Sequence, residues 1–210
     1  MKKRGVIIML ISGITEYRDD DFTGEEFDGF ILNGHIFENC KFRFSNFINT
    51  KLNDCIFRNC DFSGSRFSDV SAVKCEISNC NLENSSFLSS VFENCKAVGS
   101  NFSNSKFLSF EIKGGNFSYT SFNGCNLKCM YLSNITFSNA IFSECNLQKA
   151  KFRHSDLHHA IFLNADLSEA DLRDARVDGV DFKNINLKKC IVDISQSICI
   201  AESFGCVVTE

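Results

Sequence analysis

The residues with the most reactive potential in this 210-residue chain are twelve cysteines and four histidines, and their spacing decides what they can do. Zinc-holding cysteines recur as close C-x-x-C pairs. Here Cys40, Cys60 and Cys80 recur at twenty-residue steps, as do Cys55, Cys75 and Cys95. A thiol becomes a nucleophile or redox centre only where a positive, partly exposed setting holds it as thiolate. The regular spacing instead suits small buried hydrophobes, a role cysteine fills well, and unpaired thiols go with a reducing compartment, so a cytoplasmic location is expected. His154, His158 and His159 fall at outward or corner positions and read as solvated surface rather than a metal site. No nucleophile–base constellation, phosphate loop or dinucleotide fingerprint appears. No catalytic residue, metal or cofactor is therefore expected, and the chain reads as a binding surface rather than an enzyme.

The elements that would carry these residues follow from a repeat of five. From Phe22 to Val192 every fifth residue is Phe, Leu, Ile, Val or Ala, about 35 positions in one phase, and nineteen of the 23 Phe residues fall on it. A second column two residues earlier holds Cys40, Cys55, Cys60, Cys75, Cys80, Cys95, Cys125, Cys145 and Cys190, with Ser, Ala, Thr or Val at most other steps. A period of five matches neither the 3.6 of a helix nor the 2 of a flat strand. It fits a square coil whose five-residue sides each turn one large and one small side chain inward. The residue two after the large one is often Gly or Asn, as at Gly24, Asn39, Gly64 and Asn79. Those types best tolerate the positive φ of a type II turn. A gapless coil lacks the long loops that usually carry active sites.

The run Ala165-Asp166-Leu167-Ser168-Glu169-Ala170-Asp171-Leu172-Arg173 resembles the pentapeptide-repeat family, and the likeness extends over residues 20–193. The resemblance implies an all-β fold, a right-handed quadrilateral parallel β-helix with four pentapeptides per coil and about nine coils. Residues twenty apart then stack, which places Phe22, Phe42, Phe62, Leu82, Phe102, Phe122, Phe142, Phe162 and Phe182 in one ladder. Residues 1–19 form an N-terminal capping segment on this reading. Lys2, Lys3 and Arg4 before the apolar run Val6–Ile14 loosely resemble a signal peptide, but no small-residue cleavage site follows. The run is also too short to span a bilayer, and a first β-strand over the end of the core is expected there.

After Val192 the repeat stops, and residues 194–210 form a C-terminal helix and tail. Asp193 to Gln196 reads as a capping box, Ser195 to Phe204 as a short helix, Gly205 as its C′ residue, and Cys206 to Val208 as a strand-like tail. Ile198, Ile200, Phe204, Val207 and Val208 exceed what one cap must bury, so end-to-end homodimerisation through them is expected. Val192 to Ile198, followed by Ala201-Glu202-Ser203-Phe204-Gly205, resembles the dimerisation segment of the Qnr/MfpA group, and Phe22-Thr23-Gly24-Glu25 resembles its start. That resemblance implies a cytoplasmic dimeric rod shaped and charged like duplex DNA, which binds DNA gyrase or topoisomerase IV and protects it from quinolones. Two features depart from the group. The projecting loops common in Qnr proteins are missing, and the charge is thin. The net charge is only −4. Residues 16–38 hold eight acids against Arg18 and residues 151–210 ten against seven bases, but residues 41–150 hold eleven bases against eight acids. Asp156, Asp166, Asp171, Asp174, Asp178 and Asp181 are the expected acidic contact zone. Neither direct nucleic-acid nor membrane binding is expected from this composition. The alternative is a generic interaction rod or exported effector with another protein partner.

Overall fold

A computed structural model describes Gly13 and residues 15–209. The strand expected over Val6–Ile14 falls, Gly13 apart, outside the described residues. Among the described residues the coil is first seen at β1 (Glu16–Arg18), whose central Tyr17 stacks on Phe37 at 4.9 Å and so extends the large-residue column one step before Phe22. Eight further strands follow: β2 (Ile31–Asn33), β3 (Ile36–Glu38), β4 (Lys51–Asn53), β5 (Ile56–Arg58), β6 (Ser71–Val73), β7 (Glu76–Ser78), β8 (Val91–Lys96) and β9 (Glu111–Asn116). All pair in parallel at a register of twenty, as in Glu16↔Ile36, Ile36↔Ile56 and Ile56↔Glu76. β8 runs round a corner and joins the two ladders, pairing with both β6 and β7.

These strands account for about five turns of a parallel β-solenoid, fewer than the nine counted from repeats. Beyond them the sides meet through single parallel bridges at the same step, from Asn116↔Thr136 to Asp171↔Ile191. A five-residue side with a turn at each corner has little room for longer strands. The corner residue has positive φ at every fifth position from Asp19 to Lys189. Glycine and asparagine do supply many of these, but so do Phe44, Tyr119 and Lys149. The closed coil, rather than the residue type, imposes the left-handed conformation. At Phe44, φ +56, the exposed ring lies over Gly64, where an added Cβ would come within 2.7 Å of it.

The interior is a stack of rings. Phe22, Phe42 and Phe62 stack at 5.0 and 4.7 Å, and Phe27, Phe47 and Phe67 at 4.5 and 5.0 Å. Adjacent columns meet edge to face, as Phe37 meets Phe42 at 77°. Both geometries suit the ring quadrupole. The small column is more than filler. Ser45 Oγ donates to Phe22 O at 2.6 Å, Thr50 Oγ1 to Phe27 O at 2.7 Å, and Cys55 Sγ to Leu32 O at 3.3 Å. Each such donor thus supplies a buried carbonyl on the coil below with a partner.

Two stretches depart from the ladder. Between residues 105–114 and the coil above them at 126–133, the bonds that join neighbouring sides are missing. A shorter gap lies between residues 160–164 and 181–184, where Phe162 N–H and Asp181 N–H lack their ladder partners and Asn164 N–H reaches Asn184 O. The phase of large residues passes through both unbroken.

The end of the coil is covered by α1 (Ile194–Ser203), which starts and ends one residue before the expected Ser195–Phe204 span and directly follows its N-cap Asp193. Both halves of the box form, with Asp193 accepting from Ser195 N–H and Gln196 N–H and Gln196 Oε1 accepting from Asp193 N–H. Gly205 has φ +84. The tail after it runs without regular structure rather than as a strand.

Candidate protein-interaction surface

Most of the cysteines lie inside the coil, where they cannot meet solvent. Cys40, Cys55, Cys60, Cys75, Cys80, Cys95, Cys125 and Cys145 are buried, and only Cys129 and Cys206 are exposed. Burial pushes the Cys125 thiol up to about 11 and Cys145 to about 12. Such groups are poor nucleophiles at neutral pH. The histidines sit at the surface near acids, with His154 Nε2 3.8 Å from Asp174 and His158 Nδ1 3.7 Å from Asp178. The rings of His158 and His159 lie 4.0 Å apart. Among the described residues no group of three or more His, Cys, Asp or Glu could hold a metal ion.

The acids of the last coils are spread over several sides and most are met by arginine. Asp171 is only 8% exposed and is held by a bidentate Arg173, at 2.9 and 2.7 Å, which keeps its carboxyl below the usual range. Asp174 pairs with Arg153 at 2.7 Å, and Asp178 with Arg176 at 2.6 Å. Asp156 lies 3.8 Å from Arg176 and accepts from Ser138 Oγ at 2.7 Å. Asp166 is held by amides, Gln148 at 2.6 Å and Asn186 at 2.9 Å. Asp181 accepts from Lys183 N–H and forms no ion pair among the described residues. The twenty-residue step explains two of these partners, since Arg153 and Arg176 lie about one coil from Asp174 and Asp156, whereas Arg173–Asp171 and Arg176–Asp178 join residues two apart in the sequence.

At the end of the rod, α1 divides its apolar residues between two jobs. Gln196 is buried and donates to Ala175 O at 2.9 Å, while Cys199 and Ile200 pack against the core. Ile198 is half-buried. Ile194, Phe204, Val207 and Val208 stay in solvent, Val207 at 88%. Beside the helix a groove of about 410 Å³ is walled by Asp178, Asp181 and Glu202 against the single cation Lys183. Asp178 is paired with Arg176, while Asp181 and Glu202 form no ion pair among the described residues and leave a local negative field. Among the described residues no helix is long and apolar enough to cross a membrane.

Comparison with known proteins agrees with this architecture. Models of the pentapeptide repeat match residues 16–87, as a pentapeptide repeat region, and residues 120–158 and 150–188, as pentapeptide repeats of eight copies. No curated protein matches the chain. Among solved structures, a trypsin-treated form of QnrB1, a plasmid-mediated fluoroquinolone resistance protein, is 22% identical with a TM-score of 0.57. It covers 92% of this chain, and 97% of its own length is matched. HetL, a pentapeptide repeat protein involved in heterocyst differentiation regulation in the cyanobacterium Nostoc, is 19% identical with a TM-score of 0.54. That match covers 91% of this chain and 97% of HetL. Both likenesses concern the fold. With repeat models spanning most of its coil and stacked pentapeptides throughout, the chain belongs to the pentapeptide-repeat family.

Proposed function

We propose that this chain is a non-enzymatic, cytoplasmic rod that dimerises through α1 and the tail. Its partner on this reading is a type II topoisomerase, DNA gyrase or topoisomerase IV, which it engages in place of duplex DNA and so shields from quinolones. What carries the reading is the acidic groove beside the apolar end, where Asp181 and Glu202 form no ion pair among the described residues. A two-fold dimer at that end doubles the negative field at the centre of the rod, where a DNA-binding saddle would seat it. Over most of its length the partner would read shape more than charge. The likeness to QnrB1 supports the shape alone.

A second reading, an interaction rod or exported effector for some other protein, is favoured by the arginines on Asp171, Asp174 and Asp178. Paired acids contribute little net field. A gyrase supercoiling assay with and without ciprofloxacin separates the two. Topoisomerase docking predicts inhibition of supercoiling at high protein and recovery of supercoiling in the presence of drug. A purified protein that does neither across a wide concentration range leaves the second reading.

A further inference from the structure

The longer of the two breaks in the ladder, between residues 105–114 and 126–133, is a built opening in the wall of the coil. On one side Phe107 N–H and Ser109 N–H, and on the next Ile112 N–H and Gly114 N–H, have no carbonyl partner above them. The carbonyls of Asn126, Lys128, Tyr131 and Ser133 above, and the N–H groups of Asn126 and Tyr131, are equally unpaired with the coil below. One coil down, the equivalent Phe87 and Ser89 bond to Lys106 O and Leu108 O, both at 2.8 Å. One coil up, Leu127 and Cys129 bond to Asn146 O and Gln148 O, also both at 2.8 Å. The ladder is intact on either flank, with Asn104 N–H on Asn123 O at 2.9 Å and Thr136 N–H on Gly115 O at 3.2 Å. The opening is therefore local and has two defined ends.

Side-chain size explains it. The small column that contains Thr50, Val70, Ser90, Ala150 and Ala170 holds Phe110 and Met130 on these two successive coils. Phe110 is buried against Phe87, Phe92 and Phe107, with ring centroids 5.5, 5.2 and 5.1 Å away. Two long side chains stacked where small ones fit cannot be overpacked into the core, so the coils part. A cleft of about 680 Å³ results, with Phe107, Phe110, Met130 and Tyr131 on its apolar walls and Lys113 and Lys128 at its rim.

We propose that this seam binds an extended peptide segment of a partner protein, which pairs its main chain with the open lips as an inserted or edge strand. Unpaired N–H and C=O groups beside an apolar floor are what a β-strand satisfies and what a small apolar ligand leaves unsatisfied. Lys113 is taken by Glu111 at 3.2 Å, whereas Lys128 at the rim has no ion pair among the described residues. The favoured segment therefore alternates apolar residues with at least one acid. It is independent of the dimer end and of the acidic groove, and so stands whether or not the topoisomerase reading does.

The probe is a random peptide library displayed on phage and selected on the full chain, followed by the synthetic winner. The expected result is protection from hydrogen exchange at Phe107, Ser109, Ile112 and Gly114 on binding, after fast exchange in the free chain. Backbone N-methylation of the winner removes the main-chain donors and should weaken binding at least roughly tenfold. Met130→Ala and Phe110→Val restore residue sizes found elsewhere in the column and should abolish selection by closing the seam. The proposal is overturned if no peptide is enriched, if N-methylation leaves affinity unchanged, or if Phe107 and Ile112 already exchange as slowly as Phe87 and Leu127. Binding of the apolar dye ANS in the cleft, with no peptide protecting these amides, would make it a hydrophobic-ligand pocket instead and equally overturn it.

Discussion

At the scale of single residues, the inward thiols show how a reactive group is made inert by position. Cys145 sits between coils with its Sγ donating to Phe122 O at 2.9 Å, and Cys125 donates to Phe102 O at 3.2 Å. The ordinary thiol value is 9.0, and burial holds these two at about 12 and about 11. Between those values the folded chain keeps protons that the unfolded chain gives up. Stability from these groups is thus complete below about pH 9 and is lost as pH rises toward 11 and 12. Urea midpoints measured from pH 8 to 11 should fall, and a Cys125→Ala, Cys145→Ala double variant should show a flatter alkaline decline. Labelling gives an independent measure of the same burial. At neutral pH iodoacetamide should reach Cys129 and Cys206 first, with Cys190 and Cys199 slower and the rest only after unfolding, as mass spectrometry of the labelled peptides would show.

At the scale of elements, the helix is tied to the coil by one carboxylate. Asp193 Oδ1 accepts from Ser195 N–H at 3.0 Å while Oδ2 accepts from the corner amide of Asp174 at 2.8 Å. The bond from Asp174 does most to hold the Asp193 carboxyl far below the usual range, and Ser195 comes next. A depressed carboxyl value contributes stability above its unfolded value of about 3.9 that is lost as pH falls. Helical circular dichroism and protection of the α1 amides should therefore decline below about pH 4, ahead of the coil. Asp193→Asn keeps an N-cap acceptor and should remove most of that pH dependence, whereas Asp193→Ala should loosen α1 at neutral pH as well. This helix was legible in the sequence because its signals are local, a cap and a reciprocal glutamine three residues on. The coil was legible because the large-residue phase never slips. The seam was not, since Phe110 and Met130 alter residue size in the small column without touching the phase at Phe107, Ile112, Leu127 or Leu132. The corners were half legible. Glycine and asparagine mark the left-handed position, but at Tyr119 or Lys149 only the closure of the coil demands it. Nor do the arginine partners of Asp156 and Asp174 show until residues about one coil apart are set side by side.

At the scale of the whole molecule, the rod has an end that its own helix does not finish. Gln196, Cys199 and Ile200 cover the last coil. Ile194, Phe204, Val207 and Val208 then face water together with Ile191, at exposures from 44% to 88%. Of the five apolar residues expected to bury on dimerisation, Ile200 already serves the core, Ile198 is half-buried, and Phe204, Val207 and Val208 remain free. Burying a side chain of that size contributes about 1.5–3 kcal/mol, so three per copy are worth leaving water for. A second copy meeting the same patch across a two-fold closes the assembly, whereas a head-to-tail contact would grow a filament. Since α1 already covers the coil edge, the contact is between side chains rather than between strand ladders. Light scattering should therefore give the mass of two chains at micromolar concentration, and Phe204→Asp should give the mass of one with an unchanged far-ultraviolet spectrum. Ile200→Asp should behave differently, because it wounds the cap as well as the contact and lowers the unfolding midpoint. A wild-type chain that scatters as a monomer over the same range would remove the dimer, and with it the doubled acidic field on which topoisomerase docking depends.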